Sequence, residues 1–265
     1  MQKLKSAVKR DPRLRSHYDK AYNLLKLLKR LIRGKAYMDW SYLVLDDQKV
    51  AYIVMQKVAC TSIKASMVSM ESDEDYLSVS ESIRKTGHVI PKLDPAAHGE
   101  YYLFTFVRNP FERLISCYEN KYHTNRDIVG SMENGGSVKF HAYLMGYLAK
   151  DRGFRSFAKR VCRIPDWISD HHFVSQSFII DRQGQAPKPS FIGHYERLNE
   201  EYEPIRERFG FMPLPHYNKT PRAMMWMDYY DIPTAQKVYR RYREDIERFG
   251  YQETYERLLE HLKNR

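Results

Sequence analysis

Lys57, Thr61 and Ser62 lie in one short stretch, QKVACTSIK, and Arg108, Arg113 and Ser116 lie in a second, FVRNPFERLISCY, about fifty residues further on. Ammonium and guanidinium groups beside small hydroxyls are the components of an anion site. The cation neutralises charge and the hydroxyl adds a directed hydrogen bond. Two such sets in one chain suit a ligand that carries two phosphate-like groups.

The flanking residues indicate which elements hold them. The apolar run Val50 to Met55 precedes the first stretch, and Ile63, Met67, Val68 and Met70 follow it. That is the pattern of a buried strand feeding a helix with one apolar face. The loop therefore opens at a helix N-terminus, where unpaired N–H groups and the positive end of the helix dipole favour an anion. The second stretch repeats the plan, with Tyr101 to Val107 as strand, Arg108 at its end and Pro110 suited to the first helical turn.

Together the two stretches resemble the phosphosulfate loop and the 3′-phosphate segment of sulfotransferases that use 3′-phosphoadenosine 5′-phosphosulfate (PAPS), in particular the carbohydrate sulfotransferases. The family's first loop commonly reads PK-x-x-x-T-S and its second R-[DN]-P-x-x-R-x-x-S-x-[YF]. Arg108, Asn109, Pro110, Arg113, Ser116 and Tyr118 match the second throughout, whereas Gln56 stands where proline is usual, which predicts a looser turn. The resemblance implies an α/β, three-layer fold similar to P-loop nucleotide kinases, with a mainly parallel sheet of roughly four or five strands flanked by helices and phosphate sites at strand C-terminal ends. It also implies transfer of a sulfuryl group from PAPS to a carbohydrate hydroxyl, on an oligo- or polysaccharide, without a metal. No GxxxxGK[ST] run is present, which separates the chain from Walker A kinases.

On this reading Lys57 approaches the bridging oxygen and the 5′-phosphate. Thr61 and Ser62, with the backbone amides of Val58, Ala59 and Cys60, hold that phosphate in a nest. Arg108 and Ser116 take the 3′-phosphate, and Lys219, Thr220 and Arg222 close over the nucleotide. Cys60 itself reads as a packing residue where the backbone approaches closely. An alcohol acceptor has a high pKa, so a general base helps, and histidine is the usual choice near neutral pH. Of ten histidines, His88 leads, because its GHV setting about twenty residues before Arg108 is similar to the stretch carrying the catalytic histidine of uronyl 2-O-sulfotransferases. His98 is the reserve, and Glu81 and Glu119 are alternatives in the manner of relatives that use glutamate. His98, His172 and Glu196 are candidates for acceptor binding. His171, His172 and Gln176 resemble the stretch leading into the family's central region, and Tyr195 with Glu196 a later one; a helix cap or buried hydrogen bonds would explain the same residues.

With 265 residues, 43% of them hydrophobic, the chain can bury a full core as one domain over residues 36–265 behind a basic amphipathic segment at 1–35. A formal net charge of +11 implies acidic partners, a doubly phosphorylated nucleotide and an acidic glycan among them. A nucleic-acid-binding protein would share that charge, but no readout motif is present and the acidic run Glu71 to Asp75 interrupts the basic surface. A catalytically silent sulfonucleotide-binding relative is the other alternative. Three cysteines without ligand-like or disulfide-framework spacing point to a reducing compartment and exclude a zinc site of the CxxC kind. No apolar run of membrane-spanning length or signal-peptide core occurs, so the expectation is a soluble, bacterial-type member or a trimmed catalytic domain, cytoplasmic, peripheral to a membrane through residues 20–33. In that segment leucines alternate with Lys26, Lys29, Arg30 and Arg33, which suits an anionic membrane surface, an acidic glycan, or docking on the domain.

The remaining elements follow from pattern. Ser41 to Leu45 and Val50 to Met55 flank Asp46 and Asp47 as a hairpin. Residues 125–136 read as a polar loop and Val138 to Val161 as helical. Phe191 to Gly193 reads as a short strand, Glu196 to Phe209 as a helix, and Thr234 to Leu262 as helical with a break near Gly250.

Overall fold

A computed structural model describes residues 41–69, 82–120, 153–181, 188–215 and 224–265, with scattered positions from 18 to 32 and from 144 to 148. In chain order its elements are β1 (Tyr42–Leu45), β2 (Val50–Ile53), α1 (Cys60–Met67), β3 (Val89–Ile90), α2 (Pro95–His98), β4 (Tyr102–Val107), α3 (Pro110–Tyr118) and α4 (Gly153–Val161). There follow α5 (Gln176–Asp181), β5 (Phe191–His194), α6 (Leu198–Phe209), α7 (Ile232–Arg241), α8 (Arg243–Arg248) and α9 (Gln252–Lys263).

The five strands form one sheet in the order β3-β1-β2-β4-β5. β2 pairs parallel with β4, and β4 with β5, while β1 runs antiparallel to both its neighbours. The mainly parallel sheet expected from the resemblance is thus a mixed one. The cause is local: Asp46–Lys49 turns the chain within four residues, with Lys49 left-handed at φ 51°, and a tight turn can only deliver an antiparallel partner. The hairpin places β1 between β2 and β3.

β2 and β4 are buried on both faces, which is why their sequences, VAYI and YLFTFV, are apolar runs instead of alternating ones. Thr105 is fully buried within β4 and satisfies its hydroxyl on the Ile53 carbonyl at 3.0 Å. In β5, Gly193 is required by packing, since a Cβ there would stand 2.3 Å from the Phe106 ring. Tyr202 of α6 packs against Phe104 and Phe106 and shares a 2.9 Å hydrogen bond with Ser66 of α1, locking helix to helix across the aromatic core. Around α3, Phe111 meets Tyr230 edge-on and stacks on Tyr255 of α9. The C-terminal helical stretch breaks at Tyr242 and again at Gly250, whose φ of +74° suits glycine.

β2 and β4 therefore end side by side, and their C-terminal ends open onto the turns 54–59 and 108–109. Among the described residues no helix is long and apolar enough to cross a membrane. In the N-terminal segment Tyr22, Leu25 and Ile32 are exposed, while Leu27 packs against the core. Residues 125–136, and 138–152 apart from three positions, lie outside the described residues.

Candidate functional site

The first turn is built from conformations that ordinary residues avoid. Lys57 has φ 67° and Ala59 φ 49°, both left-handed without being glycine, a choice that costs about 1–2 kcal/mol per residue. Ala59 is the N-cap of α1 and has no side chain able to cap it, so among the described residues the start of α1 has no side-chain cap. Alternating left-handed residues at a helix start turn successive N–H groups to one side and make an anion nest. Thr61 and Ser62 stand in the first turn of that helix, almost fully buried. Val58 is a core residue. The turn is not loose at Gln56: its side chain accepts from the Cys60 thiol at 3.3 Å and its carbonyl accepts from Arg113 Nε at 3.0 Å.

The second turn is closed where the first is open. The Arg108 N–H donates to Gln176 Oε1 at 2.9 Å, the Asn109 N–H to Glu196 Oε1 at 2.8 Å, and the Phe111 N–H to the capping Asn109 side chain at 3.0 Å. What remains available is the Arg108 guanidinium. It is 6% exposed, donates to the Lys57 carbonyl at 3.2 Å, pairs with Glu112 at 3.3 Å and lies 4.2 Å over the Tyr195 ring. Its Nε is buried with no hydrogen-bond partner among the described residues. An unsatisfied buried donor on a cation costs free energy that an anionic ligand would recover. The two turns are thus brought together, with Lys57 and Arg108 joined directly, and the arrangement fits a ligand with two anionic groups. Ser116 lies half-buried further along α3.

Other candidates fall elsewhere. Arg113, part of the matched motif, is 2% exposed and spends its guanidinium on the carbonyls of Gln56, Val174 (2.6 Å) and His171 (3.2 Å). It is a strut, and its burial lowers its pKa from the usual arginine value, against the raising effects of Tyr242 and Asp245. Both Glu196 oxygens are taken, one by the Asn109 N–H and the other by the Tyr251 hydroxyl at 3.0 Å, so Glu196 holds the second turn instead of presenting itself to an acceptor. His98 is tied at the opposite end of the sheet, its Nδ1 against the Asp94 backbone and its Nε2 3.8 Å from Asp46 in the β1–β2 turn. His88 is exposed just before β3, its carbonyl bonded to Val44, level with Ala51 and two strands from β2. The structure brings neither histidine to Lys57. Glu119 accepts from the Tyr229 hydroxyl at the far end of α3. Glu81, Lys219, Thr220 and Arg222 lie outside the described residues.

His172 follows His171, whose carbonyl Arg113 bonds, and it accompanies Asp170 and His171, whose ligand atoms with its own fall within 4.8 Å. Asp245 underlies the second turn: it is fully buried, accepts from the N–H groups of Gln176 and Ser177 at 2.8 Å each, and its pKa is raised by burial despite those bonds. Gln176 was recognisable by resemblance, but its role was not. It clamps both the N–H and the carbonyl of Arg108. Arg113 did leave a signal: Pro110, Arg113, Leu114, Cys117 and Tyr118 fall at i, i+3, i+4, i+7 and i+8, which places the arginine on the buried stripe.

A profile described as the sulfotransferase family matches residues 40–252. Carbohydrate sulfotransferase 11 of Mus musculus is 24% identical over 253 residues, covering 80% of this chain and 68% of that protein. Carbohydrate sulfotransferase 14 of Danio rerio is 26% identical over 235 residues, covering 79% and 61%. Carbohydrate sulfotransferase 11 of Danio rerio reaches 34% over 96 residues, 32% of this chain and 27% of that protein. No solved structure gives a significant match.

Proposed function

Since the chain belongs to the sulfotransferase family, we propose that it transfers the sulfuryl group of PAPS to a carbohydrate hydroxyl and releases adenosine 3′,5′-bisphosphate. The observation that carries this reading is the junction of the two turns: Arg108 donates to the Lys57 carbonyl while its buried Nε lacks a partner among the described residues, next to a helix start that no described side chain caps. Relatives named as carbohydrate sulfotransferases support the acceptor class. The parallel set β2-β4-β5, with both turns at strand C-terminal ends, supports a P-loop-like, three-layer arrangement.

In this reading the N–H groups at the start of α1, with Thr61 and Ser62, hold the 5′-phosphate, and Arg108 with Ser116 holds the 3′-phosphate. Lys57 neutralises charge on the departing phosphate oxygen, where a positioned cation acts most strongly. Lys219 and Arg222 are assigned to closing the nucleotide site by resemblance alone. Lys57 and Arg108 supply the positive charge the reaction needs, so no step is given to a metal. The basic N-terminal segment, with Tyr22, Leu25 and Ile32 exposed, is read as a contact surface for an acidic glycan or membrane.

The test is the double variant Lys57→Ala with Arg108→Ala. Bisphosphate binding and transfer of labelled sulfate from PAPS to a panel of desulfated glycans are both expected to be lost. Persistence of both would show that the site lies elsewhere.

A further inference from the structure

Asp170 is completely buried, and its Oδ1 receives His172 Nδ1 at 2.5 Å and the His172 N–H at 2.9 Å. Its Oδ2 makes no hydrogen bond among the described residues, with His171 Nδ1 4.0 Å away. Asp170 Oδ1 and His172 Nδ1 are bonded to each other, nearer than the roughly 3.3 Å that separates two ligand atoms on one zinc ion. A buried carboxylate on Nδ1 fixes the imidazole tautomer and orientation, puts the basic lone pair on Nε2, and stabilises the imidazolium once Nε2 is protonated.

The backbone on both sides of His172 is anchored by Arg113, which bonds the carbonyls of His171 and Val174. Its guanidinium bridges the carbonyl of Gln56, which precedes Lys57, and that of His171, which precedes His172. One rigid group thus ties the backbone of the lysine turn to the backbone that carries the imidazole. Among the described histidines only His171 contributes its carbonyl to this bridge, and His172 is the next residue in the chain.

We propose that His172 is the general base for the acceptor hydroxyl, with Asp170 as its positioning residue; the inference rests on the sulfuryl-transfer reading. The acceptor O–H gives its proton to His172 Nε2 while its oxygen bonds to sulfur. The bond between sulfur and the 5′-phosphate oxygen breaks, and its electron pair leaves on that oxygen. The products are the sulfate ester, adenosine 3′,5′-bisphosphate and an imidazolium paired with the Asp170 carboxylate.

The experiment measures kcat and KM for labelled sulfate transfer to the glycan panel, and the bisphosphate Kd, on the same samples of His172→Ala, His172→Asn, Asp170→Asn and His88→Ala. His172→Ala should lose about 10²- to 10⁴-fold in kcat. Its bisphosphate Kd should stay within about threefold, and added imidazole should restore part of the rate. Asp170→Asn should lower kcat by a smaller factor with the PAPS KM unchanged, and His88→Ala should leave turnover intact. His172→Asn keeps a nitrogen facing Asp170 and supplies the test should the alanine variant not fold. Unchanged kcat in a folded His172 variant, or loss of kcat in His88→Ala alone, overturns the proposal. Loss of bisphosphate binding in proportion to kcat also overturns it, by moving His172 to the donor side; the wild-type Kd tests the underlying reading separately.

Discussion

The β2–α1 and β4–α3 units share a plan, a buried strand running into a turn and a helix, yet the groups they have to offer an anion differ. At α1 the backbone is strained, with Lys57 and Ala59 both left-handed, and no described side chain caps the helix start. At α3 the backbone is quiet. Asn109 caps the helix, Pro110 removes one donor, and Gln176 and Glu196 take the N–H groups of Arg108 and Asn109. The first unit offers main-chain donors, and the second offers side chains, Arg108 and, further along α3, Ser116. A strand–turn–helix pattern with nearby cations therefore does not specify which atoms do the binding. That depends on where each backbone donor finds its partner.

The largest break in this comparison should come from Lys57→Ala, which leaves the nest intact but removes the charge beside it. A fall in kcat of about 10²- to 10³-fold is expected, with a smaller change in bisphosphate Kd, measured by labelled sulfate transfer and calorimetry. Next comes Gln176→Leu, which strands the buried N–H and carbonyl of Arg108. It should destabilise the protein by about 3 kcal/mol in urea unfolding, since each buried orphan costs about 1–3 kcal/mol. Ala59→Gly runs the other way. Relief of the left-handed strain should raise stability by about 1 kcal/mol, or about 2–4 °C in Tm for a domain of this size, with nucleotide binding kept.

The smallest effect concerns acid. Burial pushes the Asp170 pKa up, but the charges of His171 and His172 and the hydrogen bonds from His172 outweigh it and hold the carboxyl well below its ordinary 3.8. With the folded pKa below the unfolded one, the stabilisation is complete above pH 3.8 and drains away as pH falls below that value. Asp170→Asn should flatten the loss of stability below about pH 4, read from denaturant midpoints across the acid range.

Much of the architecture was legible because it is local. The strands at 42–45, 50–53 and 102–107, the helix starts at Cys60 and Pro110, and the break at Gly250 all follow from apolar runs, proline and glycine. The hairpin was legible too, and the mixed sheet is its consequence. The supports of the second turn were not, because Gln176 is 68 residues from Arg108 and Glu196 is 87 from Asn109, and hydrogen bonds at that separation leave no periodic trace. The same distance effect separated the expected base His88 from Lys57. Adjacency in a motif says nothing about which sheet edge a strand occupies.

The most direct measurement is a calorimetric cycle with adenosine 3′,5′-bisphosphate and adenosine 5′-monophosphate, on the wild type and on Arg108→Gln. A charge-assisted contact to the 3′-phosphate is worth about 1.5–3 kcal/mol. The wild type should therefore bind the bisphosphate roughly 10- to 150-fold more tightly than the monophosphate, and the variant should bind the two alike. A variant that weakens both nucleotides equally, or a wild type that does not distinguish them, would contradict the assignment of the second turn to a side-chain contact with the 3′-phosphate.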